Sequence, residues 1–296
     1  MAGRLVQIGT LGDVSAVAGV VLAGGRSTRM GRPKASLEWH GSTLLHRVTG
    51  IVSRAVDGPV VVVRAPDQEL PALPPGVRVV EDAAEGRGPL QGLAAGLAAV
   101  RDRAPAAYAS STDVPLLHPR FVRRVLDALD DDTDVVLPEV GGYPQPLAAV
   151  YRTALAATVE RLIAEDRMRP AFLFEACRVK RLDAAALLAD PALAALDPDL
   201  ESVLNLNEPG DYEAARERPA PEITVRVFGA LRRHVAAGPD PALVAAATLA
   251  EAAAATGLAL DEHVVAALNG DQIPRDPETP LAAGDAIAFL AADAGG

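Results

Sequence analysis

Along the first 140 positions, short apolar runs alternate with longer segments whose apolar residues recur at helical spacing, and polar or glycine-bearing turns separate them. This pattern predicts strands over 17–22, 59–63, 77–80, 106–110 and 134–137. It predicts helices over 43–56, with Ser42 as N-cap, over 89–103, with a proline in the first turn, and over 119–129. Strand–helix alternation of this kind builds a mostly parallel sheet with helices on both faces, a Rossmann-like three-layer α/β domain. Ligands of such sheets sit at the carboxyl ends of the strands, near the point where strand order reverses. After Tyr143 the rhythm loosens: a strand over 147–151, a helix over 153–164, a short strand over 178–182, and an Ala- and Pro-rich stretch at 183–199 that fits no element cleanly. Residues 214–221, AARERPAP, read as a linker.

From Glu222 the pattern restarts. ITVRVF alternates as a half-buried strand does, and a helix over 249–255 follows with Thr248 and Glu251 at capping-box spacing. An apolar segment at 263–268, an Asn269-Gly270 turn and a last strand at 286–290 complete a small mixed unit. The expected division is 1–217, a linker at 218–221, and 222–296, the last of a size that can fold alone.

Composition narrows the function classes. Half of the 296 residues are hydrophobic but only 3% are aromatic, so the core must be built from Ala, Val and Leu. The net charge of -11, without a basic stripe interleaved with aromatics, argues against nucleic acid as a partner. The last 75 residues carry ten acids against four arginines. The single cysteine, Cys177, excludes an intramolecular disulfide and a cysteine-based zinc site. No apolar run approaches the ~20 residues of a bilayer span, so no membrane partner is expected. The opening MAGRLVQIGTLGD lacks the apolar core and cleavage site of a leader, and a cytoplasmic location is expected.

The candidate chemistry begins where the first strand opens into Gly24, Gly25 and Gly31, studded with Arg26, Arg29 and Lys34. Glycines let backbone N–H groups approach a polyphosphate closely, and fixed cations offset its charge. Lys34 and Lys180 are the only lysines among 28 basic residues, so a compact point charge stands inside this loop in a chain that otherwise uses arginine. Neither G-x-x-x-x-G-K-[ST] nor G-x-G-x-x-G is present. Asp113, just past the strand at 106–110, is a metal candidate, because Mg²⁺ takes one or two carboxylates plus substrate phosphates and water. Asp82 with Gly86, Gly88 and Gly92 makes a second strand-to-helix junction, opened by Gly88-Pro89-Leu90 and suited to a base or ribose. The segment GGYPQPL at 141–147 is a candidate substrate wall, and Asn205 and Asn207 place two amides on one side of an extended stretch.

Taken together these pieces resemble the molybdenum cofactor guanylyltransferases, MobA-like nucleotidyltransferases. LAGGRSTRMGRPKASL, EDAAEGRGPLQG, SSTDVPLL, YPQPLAAVYR and LNLNEPGDY occur in the family's order between about Val17 and Glu213. The resemblance implies GTP and molybdopterin as substrates and Mg²⁺ as cofactor. It implies nucleotide contacts by Leu22, Ala23, Gly24, Gly25, Asp82, Gly88, Pro89 and Leu90, phosphate contacts by Arg29 and Lys34, Mg²⁺ on Asp113, and a site lined by Gln145, Pro146, Asn205 and Asn207. Arg29, Lys34 and Asp113 are then the catalytic residues. One departure is Pro33, where members of the subfamily often carry an acidic residue. Arg32-Pro33-Lys34 resembles the related cytidylyl- and sugar-phosphate nucleotidyltransferases, while Gly88-Pro89-Leu90 favours guanosine. GTP and CTP both remain open at this point.

The segment after Glu222 is similar to the MoaD/ThiS family of β-grasp, ubiquitin-like sulfur carriers, on the strength of ITVRVFGALRRHVA, the Asn-Gly turn and the ending in Gly295 and Gly296. That resemblance implies a terminal thiocarboxylate, formed with a MoeB-like adenylating and sulfur-transferring enzyme and used by the large subunit of molybdopterin synthase. Ala291-Ala292-Asp293 departs from the prolines common before the glycines of molybdopterin carriers, and Asn269-Gly270-Asp271 has a thiamin-carrier character. Two other readings stand beside the bifunctional one: a cytidylyl- or sugar-nucleotide transferase with a thiamin-type or incidental tail, and a non-catalytic carrier whose nucleotide domain is a docking platform.

Overall fold

Five of the six residues of β1 (Val17–Leu22) are buried, and the larger sheet is arranged around it. The computed structural model describes residues 16–23, 33–82, 88–235 and 238–292. After β1 the chain forms a small hairpin, β2 (Glu38–Trp39) and β3 (Ser42–Thr43), then α1 (Leu44–Ala55), β4 (Val60–Arg64), β5 (Arg78–Glu81) and α2 (Pro89–Val100). Next come β6 (Ala106–Ser111), α3 (Pro119–Leu126), β7 (Val135–Val140), β8 (Tyr143–Pro144), β9 (Ala148–Arg152), α4 (Ala156–Ala164), α5 (Pro170–Glu175) and β10 (Val179–Leu182). Three short helices, α6 (Ala184–Leu188), α7 (Pro191–Leu196) and α8 (Pro209–Arg216), close this part.

The strand order is β10-β7-β9-β6-β1-β4-β5, with β8 paired to β7. β1 runs parallel to both β4 and β6, β4 to β5, and β7 to β10. Only β9, lying between β6 and β7, is reversed within that row. The chain travels outward from β1 through β4 and β5, then returns to place β6 on the other side of β1. The strand order therefore reverses between β1 and β6, and a crevice at their carboxyl ends is the expected ligand position.

Successive residues of β1 face opposite layers. Val21 packs with Leu45, Val48 and Ile51 of α1 and with Phe121 and Val125 of α3. Val20 and Leu22 pack with Leu93 and Leu97 of α2 and Val159 and Leu162 of α4. The second layer is tight: a Cβ on Gly96 would stand 2.3 Å from Val20 Cγ1, so only glycine lets α2 lie this close to β1.

Several boundaries differ from expectation for identifiable reasons. Thr43, not Ser42, caps α1: its Oγ1 accepts the His46 N–H at 3.2 Å, while Ser42 pairs with Trp39 across the hairpin. Trp39 is buried among Leu37, Leu44, Leu206 and Ala215. The stretch at 183–199 holds two helices, because Asp183 and Asp190 accept the N–H groups of Ala186 and Leu193. The expected linker is helical up to Arg216: Asp211 Oδ2 accepts the Glu208 N–H at 3.0 Å and Pro209 opens α8.

The C-terminal unit comprises β11 (Glu222–Val227), β12 (Ala242–Ala245), α9 (Leu249–Ala255), β13 (Val264–Leu268), β14 (Asp271–Ile273) and β15 (Ala286–Ala291). Its order is β12-β11-β15-β13-β14, with β11 and β15 parallel and the other pairs antiparallel. Leu249, Ala252 and Ala253 of α9 pack on Ile223, Val225, Ile287 and Phe289, giving a β-grasp unit with its own core. Thr248 caps α9 as expected, but Glu251 reaches the N–H of Ala247 and not that of Thr248. Asn269 and Gly270 turn the β13–β14 hairpin with φ of 54° and 99°. Among the described residues, no helix is long and apolar enough to cross a membrane.

The two units meet along α1 and the start of α3. His118 caps α3 through Nδ1, which accepts the Arg120 N–H at 3.0 Å, and its Nε2 donates to the Ala283 carbonyl at 3.0 Å. The cap requires an unprotonated Nδ1 and hence the neutral ring, and burial outweighs the Ala283 contact to hold the pKa below the usual histidine value. The unfolded chain thus takes up this proton more readily than the folded one. Stability is fully expressed above the ordinary histidine value of about 6.5 and is lost progressively as pH falls from there through the lower folded-state value. His118→Asn, which keeps a capping side chain, is expected to flatten the fall of the thermal midpoint between neutral pH and mildly acidic pH. An unchanged slope in this variant would remove His118 from the account.

Candidate functional site

The carboxyl ends of β1 and β6 lie side by side, with Leu22 opposite Ser111. Thr112 pins them together: its Oγ1 donates to the Leu22 carbonyl at 2.9 Å, inside the protein. Asp113 follows at once and stands in the crevice. Its own carbonyl accepts the Leu206 N–H at 2.9 Å, which clips the 205–207 segment onto the same loop. Asp211 fixes the far end of that segment by accepting the Asn207 N–H at 3.3 Å.

Lys34 opens a short 3₁₀ turn, Lys34–Ser36, and reaches into this crevice. Its Nζ donates to Asp113 Oδ2 at 2.8 Å and to Asn207 Oδ1 at 3.3 Å. The two charged side chains are only 21% and 17% exposed, so their attraction is screened less than at an open surface. The other carboxylate oxygen, Oδ1 of Asp113, is buried and has no hydrogen-bond partner among the described residues. A buried carboxylate oxygen without a donor is costly unless something occupies it. A hard divalent cation suits that oxygen, and an ammonium beside it suits phosphate. Among the described residues no group of three or more His, Cys, Asp or Glu side chains could hold a metal alone. Magnesium does not need one, because substrate phosphates and water complete its shell. The donor set therefore fits Mg²⁺.

The remaining expected residues fall into three groups. Gln145, Pro146 and Asn205 border one hollow of about 140 Å³, together with Val114 and Val203. Ala23 is held between β4 and the following turn, its N–H donating to Val63 and its carbonyl accepting from Gln68 Nε2. Asp82 directly follows β5 with its N–H on the Arg64 carbonyl, and Gly88, at φ 92°, is the N-cap of α2 ahead of exposed Pro89. The side chains of Leu22 and Leu90 lie in the core beneath, so these two residues can meet a nucleotide only through their backbones. Gly24, Gly25, Arg29, Gly295 and Gly296 lie outside the described residues.

Residues 19–179, more than half of the chain, match the family described as the MobA-like NTP transferase domain. The chain belongs to that family. Residues 225–296 match the ThiS family, so a MobA-like domain and a ThiS-like unit share one polypeptide. A relative from Mycobacterium avium, named a probable molybdenum cofactor guanylyltransferase, is 39% identical over 158 residues, covering 52% of this chain and 78% of its own. A protein of the same name from Bacillus cytotoxicus is 31% identical over 169 residues, covering 56% of this chain and 84% of its own. Among solved structures, molybdopterin-guanine dinucleotide biosynthesis protein A from Archaeoglobus fulgidus superposes with a TM-score of 0.52 at 23% identity, over 68% of this chain and 97% of that one. This last likeness concerns the fold. As a MobA-like protein the chain is a nucleotidyltransferase.

Sequence reasoning missed Thr112 and Gln68 as supports of the MobA-like crevice. Thr112 had a signal, its place between the β6 run and Asp113. Gln68 lies in an irregular segment after β4 and had none.

Proposed function

We propose that the chain transfers GMP from GTP to molybdopterin, releasing pyrophosphate, and that its ThiS-like unit carries sulfur as a thiocarboxylate on Gly296. The observation that carries the first half is the Lys34–Asp113–Asn207 cluster at the β1/β6 switch point, with one Asp113 oxygen buried and unpartnered. The relatives' names support guanosine and molybdopterin as the substrate pair. A terminal phosphate oxygen of the pterin attacks the α-phosphorus of GTP, and the bond to the β-phosphate oxygen breaks. Lys34 would offset the charge that grows on the phosphate oxygens, with Arg29 and the glycine-loop amides at 24–25 acting in the same sense. Asp113 would hold Mg²⁺, which supplies Lewis-acid stabilisation of the α-phosphate and the leaving pyrophosphate. Asn207 holds the Lys34 ammonium beside Asp113, and Asn205 with Gln145 and Pro146 would border the acceptor. Asp82, Gly88, Pro89 and the backbones of Leu22, Ala23 and Leu90 would line the nucleoside.

The second half rests on the ThiS match from 225 to 296 and on the Gly-Gly ending. Adenylation by a MoeB-like enzyme would activate the terminal carboxylate, sulfur would displace AMP, and the large subunit of molybdopterin synthase would consume the product. We place the boundary between the two activities at 218–221, after α8 and before β11. The test of the first half is pyrophosphate release with molybdopterin as acceptor and each nucleotide in turn. GTP should exceed CTP by about a hundredfold or more in kcat/KM, because a polar base edge left unpaired is strongly rejected. Equal turnover of CTP would return the chain to the cytidylyltransferase reading.

A further inference from the structure

A guanidinium inside the seam between the two units links the crevice to the carrier. Arg47, on α1, is 6% exposed. Its Nε donates to the Pro115 carbonyl at 2.6 Å, two residues beyond Asp113. Its Nη1 and Nη2 donate to the Ala247 and Leu281 carbonyls of the C-terminal unit, each at 3.3 Å. These three contacts are all to carbonyls, and burial pulls the group down to about 10. A buried cation of this kind depends on every acceptor it has.

The seam around it is extensive. Arg54 donates to the Pro280 carbonyl and to Asp285 Oδ1 at 2.7 and 2.6 Å, and His46 Nε2 meets Asp276 Oδ2 at 3.0 Å. Ala282 is buried within the core cluster of the larger domain. Gly50 lies on the face of α1 that meets this turn: a Cβ there would stand 2.6 Å from Pro280 Cδ. A mid-helix glycine costs helix stability relative to alanine, and here its space is filled by the other unit.

We infer that the carrier unit is a structural part of the nucleotidyl-transfer site, with Arg47 as the positioning residue that holds the Asp113 loop through its dock on the carrier. The inference rests on the role given above to Asp113. The direction of β15 supports it. The docked turn ends at Asp285, β15 begins at Ala286, and the strand carries the chain about 17 Å away by Ala291, at ~3.3 Å per residue. The dock thus holds the base of the carrier and leaves the tail end of β15 on the far side. Its position serves the Asp113 loop.

The test uses full-length protein and two variants. Gly50→Leu adds a side chain that α1 tolerates and the seam does not. Arg47→Ala removes the link. Amide hydrogen exchange is measured over 106–118 and at Leu206, whose N–H is held by the Asp113 carbonyl. Both variants should exchange about tenfold or more faster there, while β1 and α2 keep native protection. In turnover, kcat should fall about tenfold or more with KM for GTP nearly unchanged, and the double variant should be no worse than the worse single one, as for residues acting through one contact. A melting curve with native cooperativity separates this from misfolding, and if Arg47→Ala does not fold, Gly50→Leu alone decides. Unchanged exchange over 106–118 in a Gly50→Leu variant shown by small-angle scattering to be opened would overturn the inference, whatever the turnover. A wild-type chain inactive with GTP would instead count against the guanylyltransferase reading and leave the exchange result standing.

Discussion

Asp113→Ala lowers nucleotidyl transfer by about a thousandfold, the loss typical of removing a group that acts on transition-state charge, and leaves the fold intact. The structure explains why the two effects separate. The link from this loop to the 205–207 segment runs through the Asp113 carbonyl, which alanine retains, so the crevice keeps its shape. The side chain contributes a partner to Lys34 and one unpartnered oxygen, the two features to which the proposed mechanism assigns its chemistry. Asp113→Asn tests charge against shape: it preserves the side-chain outline but cannot bind a divalent cation as a carboxylate does, and its loss should be nearly as large. The measurement is kcat with GTP across a magnesium titration, beside a thermal melt. Wild-type turnover in either variant removes Asp113 from the mechanism.

Deleting Gly295 and Gly296 abolishes sulfur loading and spares nucleotidyl transfer. The first effect follows from the chemistry assigned to the terminal carboxylate, which must thread into an adenylating site where a side chain would obstruct it. The second follows from topology, because the docked turn at 280–285 and the end of β15 lie at opposite ends of the C-terminal unit. Mass spectrometry of the intact chain, after incubation with a MoeB-like enzyme, ATP and a sulfur donor, reads the first effect as a sulfur-for-oxygen exchange at the terminus. Pyrophosphate release reads the second. A deleted chain that still gains sulfur, or that loses transfer activity, contradicts the assignment of two separate centres.

The larger sheet was legible because its strands are short continuous apolar runs bounded by glycine or proline, and buried parallel strands read that way. The position of Asp113 followed from the same pattern, since it stands just past one of those runs. Less legible were elements fixed by a single side chain. The β2–β3 hairpin is too short to show a period, so Ser42 looked like a cap when it was a strand residue. The Ala- and Pro-rich stretch at 183–199 fitted no element, and Pro191 within it opens α7 as its first residue. β12 is a short apolar run, Ala-Leu-Val-Ala, but every side chain in it is at least partly exposed and the alanines that follow blur its end. The pairing of Lys34 with Asn207 joins residues 173 positions apart, and nothing local encodes it. The seam is the extreme case: Arg47 and Gly50 read as ordinary helix residues, and only the ThiS-like unit packed against α1 explains them.

The burial of Trp39 gives the chain a native optical probe. It is the only tryptophan in the sequence, and it packs against Leu206, whose neighbours Asn205 and Asn207 face the crevice and whose N–H holds the Asp113 carbonyl. Its emission therefore reports the packing beneath the transfer site, without a label and without background from a second indole.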